Sequence, residues 1–385
     1  MRRRARRIRT ILAVLALAAV LAACGGNEGG ASDTTGAAPG TSDASADTTA
    51  GGEAPATTTG DTSGSNEGRT ITWVSTGGGY TEDEIEAFQK PFTEATGIEF
   101  ENISPVSQEQ IQVMVETDRV VWDVINARWH FAYIACDELY EPLDQSLFEG
   151  IPYPENSTHE CFHPYARVAR IFSYNAESYP DNPPDSIDDF FDTENYPGTR
   201  AIVDQPDGIL EAALVADGVD PSELYPMDLD RAFAKLDTIK DDLLLAPSFG
   251  ALEEYMVGGQ ADMTITVTAR SNEIRDGGVD LVPVWDYTTA SITTHYIVKN
   301  SPNADIAQEL IRFIAEPEQQ IKWAELSGLA PARDDIDPAD IGYTETQAMF
   351  NAFAPDRGDV VFQDLDWFAE HADEVVERWT QWQLG

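Results

Sequence analysis

Three groups of residues in this sequence have types and spacing that could do chemistry. The first is Thr76-Gly77-Gly78-Gly79-Tyr80, which follows the alternating run Ile71-Thr72-Trp73-Val74-Ser75 and precedes an acidic, helix-like run from Thr81 to Ala95. Glycines let a backbone come close to a ligand, and the unpaired N–H groups at a helix start meet polar or anionic groups. Strand, glycine loop and helix start, with Thr81-Glu82-Asp83-Glu84 as a capping box, predict a small-molecule loop here. The glycines are followed by neither Gly-Lys-Ser/Thr nor the dinucleotide spacing, which argues against a nucleotide.

The second group, His159-Glu160-Cys161-Phe162-His163, fits the H-E-x-x-H pattern of zinc proteases. That chemistry needs a helix, so that both histidines share a face and the glutamate acts as base. Pro164 disfavours helix at His163, and Pro152 and Pro154 stand upstream, so the pattern reads as a coincidence. A surface-anchored zinc-dependent hydrolase using His159, Glu160 and His163 is kept as the competing function. No G-x-S-x-G elbow is present.

The third group is dispersed: Arg128 and Trp129, Asp204, Thr268 and Arg270, Trp285, and Thr294 with His295, most of them at or near strand ends. Arginines beside hydroxyls and glycine N–H groups suit a carboxylate, phosphate or other oxyanion. The competing reading makes Arg128 and Arg270 structural ion pairs and Trp129 and Trp285 core residues.

The elements that would position these residues alternate along the chain. Ile71–Ser75, Ile98–Ile103 and Trp122–Ile125 read as strands separated by helices over Glu82–Thr96 and Ser107–Glu116. Tyr165 to Asn175 reads as a long strand, suited to crossing between two lobes, and Ser186 caps the helix after it. The second block repeats the rhythm, with strands at Arg200–Asp204, Leu243–Leu245, Met263–Val267, Asp280–Trp285 and Thr293–Val298, and helices at Gly208–Asp217, Asp228–Asp237 and Ser248–Gly258. Helices at Ala304–Ile314, Pro317–Glu325 and Asp366–Trp382 close the chain. The pattern predicts an α/β fold with mainly parallel sheets covered by helices, large enough for two lobes.

The start of the chain is of a different kind. Arginines crowd the first nine residues, an apolar run follows from Ile11 to Ala19, and Leu21-Ala22-Ala23-Cys24 ends it. This is a secretory signal, too short to span a bilayer as a mature helix, and its ending resembles a bacterial lipoprotein box in which Cys24 is lipidated. Residues 25–68 hold no Leu, Ile, Val, Met or aromatic side chain and cannot bury a core, so they are expected to form a tether with a reach on the order of 35 Å. The chain carries 24 basic residues against 68 acidic ones, a net charge of −44, which excludes nucleic acid as a partner. The acid is spread along the chain, as on a solvated surface that keeps a monomer soluble. With Cys24 assigned to a lipid, Cys136 and Cys161 are left as a pair in an exported, oxidising setting and are expected to form a disulfide.

Several segments together resemble the extracellular solute-binding proteins of ABC importers, in the family that includes the spermidine and putrescine binders. They are Lys90-Pro91-Phe92-Thr93-Glu94-Ala95-Thr96-Gly97-Ile98, Trp122-Asp123-Val124, Tyr196-Pro197-Gly198-Thr199-Arg200-Ala201, Asp228-Leu229-Asp230-Arg231-Ala232-Phe233 and Gly259-Gln260-Ala261-Asp262-Met263. Lys299-Asn300-Ser301-Pro302-Asn303, Phe313-Ile314-Ala315-Glu316-Pro317-Glu318 and the tryptophan-rich tail continue the series in order. The resemblance implies a two-lobed periplasmic-binding-protein fold, type II-like, with the ligand in a cleft that closes about a hinge. It implies no cofactor and no catalysis, and it implies an ABC permease as partner. The expected divisions are a signal at 1–23, a lipidated linker at 24–68, one lobe from 70–172 plus 295–330, and another from 173–294 plus 331–385. At the matching positions polyamine binders carry aromatic and acidic side chains, whereas this chain has Thr76 to Gly79, Thr268, Ile292 and Thr294 and keeps only the carboxylate of Asp204. The residues at the mouth therefore point to an anionic or zwitterionic solute as well as to the polyamine class. A sensor or adhesion module on the same fold is the remaining alternative.

Overall fold

In the computed structural model, residues 68–385 are described, except Gly78, Arg128, Asp356, Gly358 and Asp359. The signal, Cys24, the linker and two proposed ligand residues, Gly78 and Arg128, thus lie outside the described residues.

The first strand, β1 (Thr70–Val74), buries Ile71, Trp73 and Val74. It leads through the glycine loop into α1, a continuous helix made of Gly79–Glu84, a π-helical turn at Ile85–Gln89, and Lys90–Thr96, stopped by Gly97 at φ 76°. The helix begins two residues before the expected capping box. Thr81 Oγ1 turns back to accept from the Gly77 N–H (3.1 Å) and pairs with Ser75 Oγ. Glu84 is buried in the core rather than folded over the helix start, because Trp73, Asn126 and His295 offer it hydrogen bonds there.

β2 (Glu99–Ile103), α2 (Gln108–Glu116, capped by Ser107), β3 (Val124–Ala127) and a short α3 (Trp129–Ile134) follow. The disulfide Cys136–Cys161 then closes a separation of 25 residues, with Cα atoms 5.7 Å apart. β4 (His163–Asn175) starts inside the H-E-x-x-H pattern, and His159 bridges to Phe162 as in a strand. The two histidines therefore share no helical face. His163 is stacked on Phe148 (centroids 3.9 Å apart) and bonded to Gln145 Oε1 (3.0 Å). Among the described residues no group of three or more His, Cys, Asp and Glu could hold a metal ion.

After α4 (Ile187–Phe191), the chain forms β5 (Arg200–Val203), α5 (Ile209–Ala216), α6 (Leu229–Asp237), β6 (Leu243–Ala246), α7 (Phe249–Val257), β7 (Met263–Val267) and α8 (Thr268–Asp276). Arg200 is fully buried and gives its guanidinium to the carbonyls of Phe190, Asp192, Tyr196 and Gly198. It thereby fixes the turn Tyr196–Thr199 against β5. β8 (Leu281–Ile297) is one 17-residue strand where the sequence suggests two. Ile171 of β4 faces Thr288 while the next residue, Phe172, faces Val284, so Trp285, Asp286 and Tyr287 bulge from a ladder that continues on both sides. The bulge and the polar run after it hide the period of 2 that would have marked one strand.

α9 (Ala304–Ile314), α10 (Pro317–Ser327), β9 (Ala330–Pro331), α11 (Glu345–Met349), β10 (Val360–Phe362) and a 20-residue α12 (Leu365–Leu384) complete the chain. No helix among the described residues is long and apolar enough to cross a membrane.

One sheet runs through the molecule in the order β2-β1-β3-β8-β4-β7-β5-β6, with β9 on β4 and β10 on β8. β2, β1 and β3 are mutually parallel, and so are β7, β5 and β6. Between the two parallel sets, β8 and β4 run antiparallel to each other and to their outer neighbours. Helices cover both faces, as parallel strands require.

Candidate ligand site

The strand directions fix where a ligand can reach this sheet. β3 ends opposite Thr294 of β8, and β7 ends with Val267 opposite Arg170 of β4. The carboxyl ends of both parallel sets thus point at one band of the central ladder, Ala166–Arg170 against Thr289–Thr293. In open α/β sheets the crevice beyond the carboxyl ends of strands is where ligands bind.

Two strand–loop–helix units open onto this band. One is β1, the glycine loop and α1; the other is β5, Asp204 to Gly208, and α5. In the second, Gly208 has φ +79°, and a β-carbon there would lie 2.5 Å from Arg170 Cδ and 3.2 Å from Thr289 Cγ2. Only glycine lets the start of α5 come this close to the crossing strand. Arg170 is half-sheltered and stands 4.0 Å from the Asp207 carboxylate. Close by, Thr289 and Tyr287 have buried hydroxyls that lie next to each other. Below them Glu211 is fully buried, accepting from Gly208 N (2.9 Å), Tyr225 Oη (3.0 Å) and Gln363 Nε2 (2.8 Å). Burial pushes its carboxyl above the ordinary range, and its hydrogen bonds from Gln363 and Tyr225 pull the other way.

The residues singled out in the sequence are only partly brought together. Thr76 is exposed in the loop after β1, and Gly79 begins α1. Tyr80 turns its hydroxyl inward to Tyr165 Oη (2.5 Å), and burial pushes it up to about 12. Trp129 lies in the core, edge-on to Tyr133. Asp204 does not stand free at the strand end, because it accepts from Trp379 Nε1 (2.8 Å) and from Gln383 Nε2 of α12. Thr268 is buried as the first residue of α8, a helix absent from the sequence reading. Arg270 pairs with Glu273 one turn on and lies over the Phe249 ring. Trp285 sits in the bulge beneath the Arg357 guanidinium, 4.6 Å from its centroid. Thr294 is fully buried.

His295 is 1% exposed and bonded to Glu84 Oε1 (3.1 Å), so it belongs to the interior and not to a mouth. Burial lowers its basicity and the Glu84 contact partly restores it.

Arg170, Gly208, Tyr287 and Thr289 escaped the sequence reading. The available signals were two arginines, Arg167 and Arg170, in a largely apolar strand and a Pro-Asp-Gly turn leading into a helix, which repeats the design of the first glycine loop.

Over residues 87–351 the chain matches the family model of bacterial extracellular solute-binding proteins, and it belongs to that family. Such proteins bind small molecules and deliver them to ABC permeases, and the fold is that of periplasmic binding proteins. Among relatives, the gamma-aminobutyric acid-binding protein of Pseudomonas aeruginosa is 26% identical over 324 residues, covering 82% of this chain and 91% of its own length. A solved GABA receptor structure is 28% identical with a TM-score of 0.75, covering 82% of this chain and 98% of that one. A binding protein from Agrobacterium tumefaciens R10, solved with agropinic acid, is 25% identical with a TM-score of 0.68 over 83% of this chain and all of that one. These relatives are binding proteins and not enzymes, which agrees with the strand geometry of the His159–His163 segment.

Proposed function

We propose that this protein is the capture subunit of an ABC importer, anchored by a lipid on Cys24 to the outer face of the cytoplasmic membrane. It closes two lobes on a small zwitterionic organic acid of the amino-acid type. The lobes are 70–172 plus 295–330 and 173–294 plus 331–385, and β4 and β8 are the crossing strands.

The observation that carries this reading is the placement of Arg170. It stands where the carboxyl ends of both parallel strand sets converge, against the glycine that starts α5 and beside the buried hydroxyl of Thr289. A guanidinium with hydroxyl donors suits a carboxylate. Its pairing with Asp207 presents one charge of each sign, which suits a zwitterion better than a diamine. The single carboxylate shared with the polyamine binders, Asp204, is taken up by Trp379 and Gln383, which weighs against the polyamine class. The solutes in the relatives' names, gamma-aminobutyric acid and agropinic acid, are both organic acids.

Isothermal titration with gamma-aminobutyrate, other amino acids, sugars, phosphate and putrescine tests the reading. A zwitterionic amino acid is expected to bind, and Arg170→Leu to weaken it roughly 10- to 100-fold, as loss of a charge-assisted hydrogen bond does. Binding of putrescine with no response to amino acids would overturn the ligand class. Release of a Cys24→Ser variant into the medium checks the anchor.

A further inference from the structure

The interior of the N-terminal half holds a chain of polar groups that no ligand contact explains. Asn126 Nδ2 donates to Glu84 Oε1 (2.7 Å) and to Tyr165 Oη (2.5 Å). Tyr165 Oη in turn meets Tyr80 Oη (2.5 Å), and Thr293 Oγ1 lies within reach of both hydroxyls (3.3 and 3.5 Å). Glu84 also accepts from Trp73 Nε1 (3.1 Å) and from His295 Nε2 (3.1 Å).

These residues come from β1, α1, β3, β4 and β8, so one network joins the helix behind the glycine loop to both crossing strands. The rings are fixed as well as the hydroxyls. Tyr165 stacks on His295 (centroids 4.1 Å apart), Tyr80 stands edge-on to Trp323 (4.9 Å), and Phe88, on the π-helical turn, stacks on Trp323 (5.4 Å). Single π turns inside α-helices recur at functional sites, and this one follows Glu84 directly.

A buried network is costly unless every member is satisfied, and satisfied it specifies one arrangement. The hydroxyl–hydroxyl contact ties Tyr80 to β4, and Tyr80 adjoins Gly79 at the end of the loop. We propose that Tyr80 and Tyr165 are positioning residues, whose paired hydroxyls lock the start of α1 at Gly79, and with it Gly77 held by Thr81, to the crossing strands, so that these loop residues follow the placement of those strands. Tyr80 then acts on the solute through the loop and not by touching it. This rests on the reading of the loop as part of the binding site.

The test is a double-mutant cycle with Tyr80→Phe and Tyr165→Phe, read in two ways. In ligand-free protein, hydrogen exchange at the amides of Gly77 and Gly79 is expected to speed at least tenfold in either variant, with β2 amides unchanged. In gamma-aminobutyrate titrations each variant is expected to bind about tenfold more weakly, and the double variant to be weakened by clearly less than the product of the two single effects, because the two hydroxyls share a link. Unchanged loop exchange, exchange raised evenly across the whole half, or effects that multiply in the double variant would overturn the proposal. So would an unchanged dissociation constant accompanied only by a lower melting temperature, which is the signature of a purely structural pair. Should the wild-type protein bind no gamma-aminobutyrate, the ligand assignment fails, and the exchange measurement still decides the role of the hydroxyl pair.

Discussion

Asn272 and Gly328 meet so closely that a β-carbon on residue 328 would sit 2.4 Å from the Asn272 amide nitrogen. Gly328 ends α10 in the left-handed region (φ 72°), and Asn272 lies on α8, buried, with neither amide atom hydrogen-bonded among the described residues. The contact joins the helix that follows β7 to the end of α10. Ala269 of α8 packs against the core cluster of Phe88 and Trp323. Gly328→Ala is expected to cost about 1–3 kcal/mol of stability, from the unfavourable φ and the collision together. Adding Asn272→Ala should remove the tightest contact and leave the backbone cost, with Gln347 Cγ still 3.1 Å from the added β-carbon. Urea denaturation of the four proteins checks this, and additive effects would mean that the two residues do not press on each other.

Glu211 supplies a pH prediction. Its burial raises the folded-state value above the ordinary carboxyl, so folding penalises the ionised form. The penalty is absent at pH well below the unfolded value and grows as pH rises through the folded one. Glu211→Gln, which cannot ionise, should therefore gain stability relative to wild type as pH rises from about 4 to 7. A stability difference that stays constant over that range would contradict the assignment.

The buried His163 gives the opposite slope. Burial pushes it down to about 4 from an ordinary 6.5, so the folded state resists its protonation. Its contribution is fully present above about 6.5 and is lost as pH falls toward about 4. Wild type should lose stability over that interval faster than His163→Gln, as followed by melting temperature against pH.

Reduction of Cys136–Cys161 should lower stability by about 3 kcal/mol, the loop-closure entropy for a loop of this length. Melting with and without reductant measures it, and a Cys136→Ser, Cys161→Ser double variant should show the lower value in both conditions.

The sequence discloses whatever is decided by neighbours along the chain. Ser186 caps the helix it was expected to cap, and Tyr165–Asn175 lies within β4. What escapes it depends on distant partners. His295 looks like a polar residue at a strand end until Glu84, 211 positions earlier, is seen to receive its ring nitrogen. Asp204 looks like an available carboxylate until Trp379, 175 positions later, is seen to donate to it. The charge of Arg170 is legible in the sequence, but the glycine that lets α5 approach it is not identifiable without the sheet order.

The pairing of β3 with β8 sets the order in which this chain can be assembled. Asn126 lies opposite His295, so the inner edge of β3 stays unsatisfied until 169 further residues have been made. Until then the first half presents an open strand edge, the kind of surface on which chains aggregate. Closing it late makes for a high contact order and slow folding. A chain built this way completes the edge of its first parallel set only when β8 arrives to cover it.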